Sequence, residues 1–88
     1  MTKKIKIELF SSNFCDRCEK AKQRIQEMLD QFSDDAIVYR ELDVLEHLDY
    51  AVSLGVLTTP TIVINGELAF TGMPPIKNLK DELNKRLL

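Results

Sequence analysis

Alternating apolar and polar residues near the start of the chain predict a β-strand. Within residues 3–10, Ile5, Ile7 and Leu9 recur at every second position and so share one face of an extended strand. The segment that follows, residues 15–32, has a longer period. Its apolar residues recur at helical spacing and are Ala21, Ile25, Met28, Leu29 and Phe32. This spacing predicts an amphipathic helix with one buried stripe.

A second strand and a short helix are predicted in the middle of the chain. Residues 36–43 are rich in β-branched and aromatic types, which favour a strand. Leu45, Leu48 and Val52 then recur at helical spacing, and Gly55 is suited to the position just beyond the end of a helix.

The last part of the chain predicts a hairpin and a helix. The apolar segment 61–64 leads into Asn65-Gly66, a strong signal for a tight turn, and residues 67–71 return as a fourth strand. Pro75 suits the first turn of a final amphipathic helix. The apolar residues of that helix are Ile76, Leu79, Leu83 and Leu87.

The predicted order β-α-β-α-β-β-α defines an α/β fold in one domain spanning residues 1–88. The first strand–helix–strand unit implies a parallel pair with a right-handed crossover, and the hairpin adds antiparallel strands to give a mixed sheet. Lys4, Lys6 and Glu8 share the second face of the first strand. We expect either that the short helix covers this face incompletely or that these side chains reach solvent at the margin of the sheet.

Composition and charge exclude several functional classes. A net charge of −2 argues against a protein that binds nucleic acid mainly through its phosphates. No apolar run approaches the roughly 20 residues of a membrane helix. Residues 1–10 contain no apolar segment typical of a secretory signal, so a cytoplasmic location is expected.

The chemistry of the sequence centres on its two cysteines, Cys15 and Cys18. A disulfide between them would stabilise the fold only weakly, because closing a four-residue loop contributes about 2 kcal/mol of stability, against about 4 kcal/mol for a 50-residue loop. The pair falls at a predicted helix start, where exposed N–H groups and the helix dipole favour a thiolate. Cys15, nearer the end of the helix, is the candidate nucleophile, and Cys18 lies one turn further on.

Metal binding is the main alternative for the cysteine pair. A closed zinc site needs four ligands, and the chain adds only His47, which we expect at a surface loop or helix start. A dimer could still share two such pairs around zinc or an iron–sulfur cluster, and inert cysteines are a further alternative. We expect no bound metal or cofactor beyond a redox-active disulfide.

Several motifs in this order resemble the thioredoxin superfamily. They are the Cys15–Cys18 pair after the first strand, Thr59-Pro60 before the third, the hairpin, and Gly72 before the last helix. The segments 6–10 and 60–66 look like the small, glutaredoxin-sized thioredoxins of archaea and some bacteria. This resemblance implies a thioredoxin fold with four strands and three helices, and a cis Thr59-Pro60 bond lying against the cysteines.

The resemblance also implies a surface that binds an extended client peptide through the Thr59 backbone. Its residues are expected to be Phe14, Thr59, Pro60, Gly72 and Met73. Gly72 would serve either a close approach of backbone beside the cysteines or a loop position with positive φ.

The chain also departs from the family pattern. Both middle residues of the motif are charged, so Arg17 should favour a thiolate and Asp16 should oppose it, and both are expected to modulate the thiol pKa. Leu9 stands where thioredoxins keep an acid, for which Glu19 or Asp16 could substitute. Glutaredoxins carry a Gly-Gly-acid pattern after the hairpin that binds glutathione, and it is missing here.

The resulting prediction is a thiol–disulfide oxidoreductase. Cys15 attacks a protein disulfide and Cys18 resolves the mixed disulfide. The expected partners are client disulfides and a separate reductase, resembling thioredoxin reductase rather than a glutathione system, and the protein is expected to be a monomer. A glutathione-recycled glutaredoxin and a dimeric metal-binding or iron–sulfur module are the alternatives.

Overall fold

The order of strands and helices is the predicted one. The computed structural model describes residues 5–13, 15–31 and 37–87. These residues form the elements β1 (Ile5–Ser11), α1 (Asp16–Asp30), β2 (Ile37–Asp43), α2 (Leu48–Leu54), β3 (Thr61–Ile64), β4 (Glu67–Thr71) and α3 (Ile76–Leu87). The predictions made for Lys4, Phe14, Phe32 and the side chain of Leu87 lie outside what the structure describes.

The strands form a mixed sheet in the order β2-β1-β3-β4. β1 is parallel to β2 and antiparallel to β3, which pairs with β4 through the Asn65-Gly66 turn. Both turn residues have positive φ, 53° and 78°, as a tight hairpin requires. The α/β fold with a parallel first pair and a terminal hairpin is confirmed.

One face of the sheet carries the larger apolar core. Ile5, Ile7 and Leu9 of β1 are at most 1% exposed and pack with side chains of α1, β3 and α3. Those partners include Ala21, Ile25, Met28, Ile62, Ile64, Leu79 and Leu83. The period of two in β1 and the period of about 3.6 in the two long helices therefore predict the side chains that form this core.

The opposite face is covered by α2 and carries a smaller core. Phe10 and Val63 of the sheet are fully buried there, and Ala51 is the buried residue of α2. Leu45, Leu48 and Val52, whose spacing predicts this helix, are instead 70%, 51% and 67% exposed. Leu45 lies in the turn before the helix, and the helix packs through Ala51, with Tyr50 and Leu54 partly buried against the same core.

Glu8 is a buried carboxylate on this second face. Lys6 reaches solvent as expected, with 49% of its side chain exposed, whereas the side chain of Glu8 is 0% exposed. Arg40 of β2 donates two hydrogen bonds to Glu8 Oε2, from Nε at 3.0 Å and from Nη2 at 2.7 Å. The hydroxyl of Tyr50 in α2 donates to Oε1 at 2.6 Å. The expectation that Glu8 reaches solvent is therefore wrong, because these partners satisfy the carboxylate, whereas the exposure of Lys6 agrees with an incomplete cover of this face by α2.

These contacts also determine how Glu8 responds to pH. Burial by itself raises the pKa of Glu8, but the hydrogen bonds from Tyr50 and Arg40 and the charges of Lys6 and Arg40 bring it below its ordinary value of 4.5. A carboxyl group with a lowered pKa in the folded state binds protons more readily when unfolded. Its contribution to stability is therefore present above pH 4.5 and is lost as the pH falls through the folded-state value.

Replacing Glu8 by Gln should remove this acid-sensitive contribution. We expect Glu8→Gln to lower the free energy of unfolding at neutral pH by about 1–2 kcal/mol, since Arg40 can still reach water. Below pH 4.5 the variant should lose stability with falling pH less steeply than the wild type. Urea denaturation across a pH series measures both effects. As a control, Glu82→Gln breaks a partly exposed ion pair with Arg86 and should change stability by less than about 0.5 kcal/mol. An unchanged acid slope in Glu8→Gln would contradict the assignment.

The two tyrosines offer a matched comparison. Burial, and then the nearby charge of Glu41, raise the pKa of Tyr39 to about 12, and its buried hydroxyl has no hydrogen-bond partner among the described residues. Tyr39→Phe should therefore leave stability unchanged or raise it by up to about 1 kcal/mol. Tyr50→Phe removes the bond to Glu8 and should lower stability by about 1–2 kcal/mol. Equal losses in the free energy of unfolding of the two variants, measured by urea denaturation, would show that the hydrogen bond to Glu8 adds nothing to stability.

Candidate active site

The two cysteines lie where the chain passes from β1 into α1. Cys15 is the N-cap residue of α1, Cys18 belongs to its first turn, and the two form a disulfide with their Cα atoms 5.2 Å apart. This separation is ordinary for a disulfide. Cys18 is only 4% exposed, whereas Cys15 is half-buried, so Cys15 presents the more accessible sulfur.

The sulfur of Cys15 occupies the position of a helix-capping acceptor. The backbone N–H of Cys18 donates to Cys15 Sγ at 3.2 Å, as a Ser or Asp side chain would accept at an N-cap. In the reduced protein, a thiolate at this place meets an N–H donor and the positive end of the helix dipole. Both interactions favour the charged, reactive form of Cys15.

The Thr59-Pro60 segment lies against Cys15. The peptide bond between these two residues is cis, and Pro60 is buried. The Thr59 hydroxyl is directed at Cys15 Sγ over 4.0 Å and lies 2.9 Å from the hydroxyl of Ser12. The loop after β1 and the loop before β3 therefore meet at the sulfur.

Gly72 and Met73 lie on the other side of Pro60. The N–H of Gly72 donates to the Pro60 carbonyl at 2.7 Å, and this bond holds the loop after β4 against the loop before β3. Gly72 has φ of +81°, and a Cβ atom there would meet no other atom within 4 Å. The positive φ, rather than a close approach of backbone, accounts for the glycine. Met73 packs against the larger core.

Two clefts flank the disulfide, and their charges are opposite. The acidic cleft, of about 550 Å³, is lined by Ser11, Ser12, Asn13, Cys15, Asp16, Cys18, Glu19, Glu41, Asp43 and Glu46. The basic groove, of about 490 Å³, is lined by Arg17, Lys20, Arg24, Thr58, Thr59, Pro60, Thr71, Gly72 and Met73. The two charged residues of the motif thus divide, with Asp16 on the acidic side and Arg17 on the basic side.

Several of these charged residues are not evident from the sequence. Glu41, Asp43 and Glu46 come from β2 and the turn after it, and they line the cleft beside the cysteines because the parallel register places Asp43 beside Ser11. The predicted parallel crossover contains this information, since it brings the carboxyl ends of two strands together. Lys20 and Arg24 follow Arg17 at helical spacing, which is the signal that could have found them.

Other predicted positions lie apart from the sulfur atoms. Leu9 is fully buried in the larger core, and the neighbouring carboxylate, Glu8, points to the opposite face. Glu8 precedes Ser11 by three residues, about 10 Å along a strand, and is engaged by Arg40 and Tyr50. His47 is exposed at the start of α2, as expected.

The residues that the structure describes contain no group of three or more His, Cys, Asp or Glu side chains arranged to hold a metal ion. Across residues 5–13, 15–31 and 37–87, no helix is long and apolar enough to cross a membrane.

The fold and the cysteine pair place the protein among the thiol–disulfide oxidoreductases. The thioredoxin domain family matches residues 3–84, which is nearly the whole chain. The chain therefore belongs to the thioredoxin family.

Similar proteins come from archaea, and similar structures extend beyond them. A thioredoxin of Methanocaldococcus jannaschii is 38% identical over 84 residues, covering 96% of this chain and 98% of that protein. A probable thioredoxin of Methanothermobacter thermautotrophicus is 29% identical over 94% of this chain and 96% of its own. A mutant thioredoxin from Halobacterium salinarum superposes with a TM-score of 0.81 at 21% identity, over 98% of this chain and 77% of that one. A malarial protein superposes with a TM-score of 0.79 at 17% identity, over 97% of this chain and 99% of that one.

The contact between Thr59 and Cys15 can be tested by removing one hydroxyl. Thr59→Val should slow alkylation of Cys15 in the reduced protein about twofold to threefold near neutral pH, because the thiolate loses a weak hydrogen-bond donor. Thr59→Ser keeps the hydroxyl and should restore the rate. Iodoacetamide kinetics, with the modified cysteine assigned by peptide mapping, give the measurement. The control is Thr58→Val, at the exposed neighbouring position. Slowing in the control but not in Thr59→Val would contradict this role.

Proposed function

We propose that Cys15 is the attacking cysteine and Cys18 the resolving cysteine of a protein disulfide reductase. The observation that carries this assignment is the position of Cys15 Sγ at the N-cap of α1, where it is accessible and accepts the N–H of Cys18. Cys18 is 4% exposed, which suits a thiol that reacts only with its neighbour.

The proposed reaction transfers two electrons from the dithiol to the client. The Cys15 thiolate attacks one client sulfur, so a Cys15–client bond forms, the client S–S bond breaks, and the second client sulfur leaves as a thiolate that takes a proton. Cys18 then loses its proton and attacks Cys15 Sγ. This step forms the Cys15–Cys18 disulfide and breaks the mixed disulfide, and the first client sulfur leaves as a thiolate that takes up a proton, which releases the reduced client.

The client is proposed to bind as an extended strand beside the cis peptide. The Thr59 backbone would pair with the client main chain, and Pro60, Gly72 and Met73 would form the walls of the site. Their position along one groove next to Cys15 supports this role. Phe14 remains a predicted member of the surface.

A separate reductase must restore the dithiol, and we propose one that resembles thioredoxin reductase. The chain carries no motif typical of nucleotide or flavin binding. Glutathione is the less favoured donor, because Gly72-Met73 stands where glutaredoxins have a Gly-Gly pair. We further propose that residues 1–88 act as a single monomeric domain. A cytoplasmic location stays a prediction.

Reduction of insulin disulfides with dithiothreitol as the recycling reductant tests the two roles. The wild type should accelerate the reaction, whereas Cys15→Ser and Cys18→Ser should both fall to the background rate. The two variants differ in what they trap: Cys18→Ser should accumulate a mixed disulfide with the client, and Cys15→Ser should not. Mass spectrometry under non-reducing conditions distinguishes them. Wild-type activity in Cys15→Ser, or a trapped client on Cys18 alone, would overturn the assignment.

A further inference from the structure

Three cations on α1 form one wall of the basic groove. Arg17, Lys20 and Arg24 are spaced three and four residues apart, so they follow one face of the helix. All three are exposed. At a rise of about 1.5 Å per residue, they span about 10 Å along the helix, starting one residue before Cys18.

None of these three side chains forms an ion pair within the described structure. Four side-chain ion pairs occur among residues 5–13, 15–31 and 37–87, and none involves Arg17, Lys20 or Arg24. Lys22, on the same helix, differs in this respect because it pairs with Glu41 at 3.3 Å. A protein of net charge −2 therefore presents a concentrated positive patch beside its reactive disulfide.

The acidic cleft lies on the other side of the disulfide, so charges of opposite sign flank the cysteines. Its five carboxylates belong to Asp16, Glu19, Glu41, Asp43 and Glu46, and of these Glu41 is paired with Lys22. An acidic polypeptide segment near the cysteines would be attracted to the basic groove and repelled from this cleft. The electrostatic field thus favours one placement of the segment over the opposite one.

We propose that the basic groove selects client proteins with an acidic segment next to their reactive disulfide. This inference rests on the proposed function and specifies the client for the same site. Side chains on one face of an extended strand recur about every 7 Å, against about 4.5 and 6 Å between the cations along the helix, a difference that the long Arg and Lys side chains can span. A client strand paired with the Thr59 backbone could therefore place acidic side chains at alternate positions toward Arg17, Lys20 and Arg24.

Three disulfide peptides with one common neutral core test this selectivity. They differ only in alternate residues on one side of the disulfide, which are Glu, Gln or Lys. At low salt we expect kcat/KM of the wild type to be about tenfold higher for the Glu peptide than for the Lys peptide, mainly through KM. At about 1 M salt, where the screening length falls to about 3 Å, the preference should largely vanish.

Charge reversal in the groove should reverse the preference. The double variant Lys20→Glu/Arg24→Glu leaves Arg17 in place, because Arg17 adjoins the cysteines, and should prefer the Lys peptide. Its control is Lys77→Glu/Lys85→Glu, which has the same net charge at two exposed positions of α3 that do not line the groove. The control should keep the preference of the wild type and should reduce the Gln peptide within about twofold of the wild-type rate.

The outcomes separate this inference from the proposed function. If wild type and variants reduce the Gln peptide but show no charge preference, the acidic client is excluded and the reductase remains. An equal loss of preference in both double variants would attribute the effect to net charge and would also exclude the groove. If no protein reduces any peptide or insulin, the proposed function itself is wrong.

Discussion

The pairing of β1 along both of its edges is the constraint on which the site depends. Its parallel register with β2 places Ser11 beside Asp43, and its antiparallel register with β3 places Phe10 beside Thr61. Three separate chain segments therefore meet beyond one end of the sheet: the cysteine loop, the turn after β2 and the cis-proline loop. A shift of one residue would turn the side chains of β1 to the wrong face and separate these loops from one another.

Glu8 shows how a charged residue is kept inside this central strand. Its two carboxylate oxygens are satisfied from two directions, by Arg40 on the neighbouring strand and by Tyr50 on α2. Tyr50 also packs beside Phe10, with ring centroids 5.8 Å apart, so the polar contact is continuous with the smaller core. The carboxylate thereby ties α2, a helix with little buried apolar surface, to the middle of the sheet.

The sequence predicts elements well where one periodic stripe meets one core, as in β1, α1 and α3. It predicts α2 correctly but not its orientation, because Ala51, Tyr50 and Leu54 face the smaller core while Leu48 and Val52 remain exposed. The burial of Glu8 is not predictable from its neighbours, since its partners lie 32 and 42 residues away. In the site, the cysteines and Thr59-Pro60 are visible in the sequence. The acidic cleft and the basic groove around them are not visible in the sequence, because β2 supplies part of the acidic cleft and α1 supplies the cations of the basic groove.

Cys15 Sγ is at once the cap of a helix and the atom that exchanges electrons. As a thiolate it carries the charge that the first turn of α1 stabilises, and in a disulfide it gives up that charge while the N–H of Cys18 still points at it. The stability of the first turn of α1 and the dithiol–disulfide equilibrium of the cysteines are therefore thermodynamically linked. A change that stabilises the start of the helix in the dithiol form makes the protein a weaker electron donor. A change that destabilises it there makes the protein a stronger one.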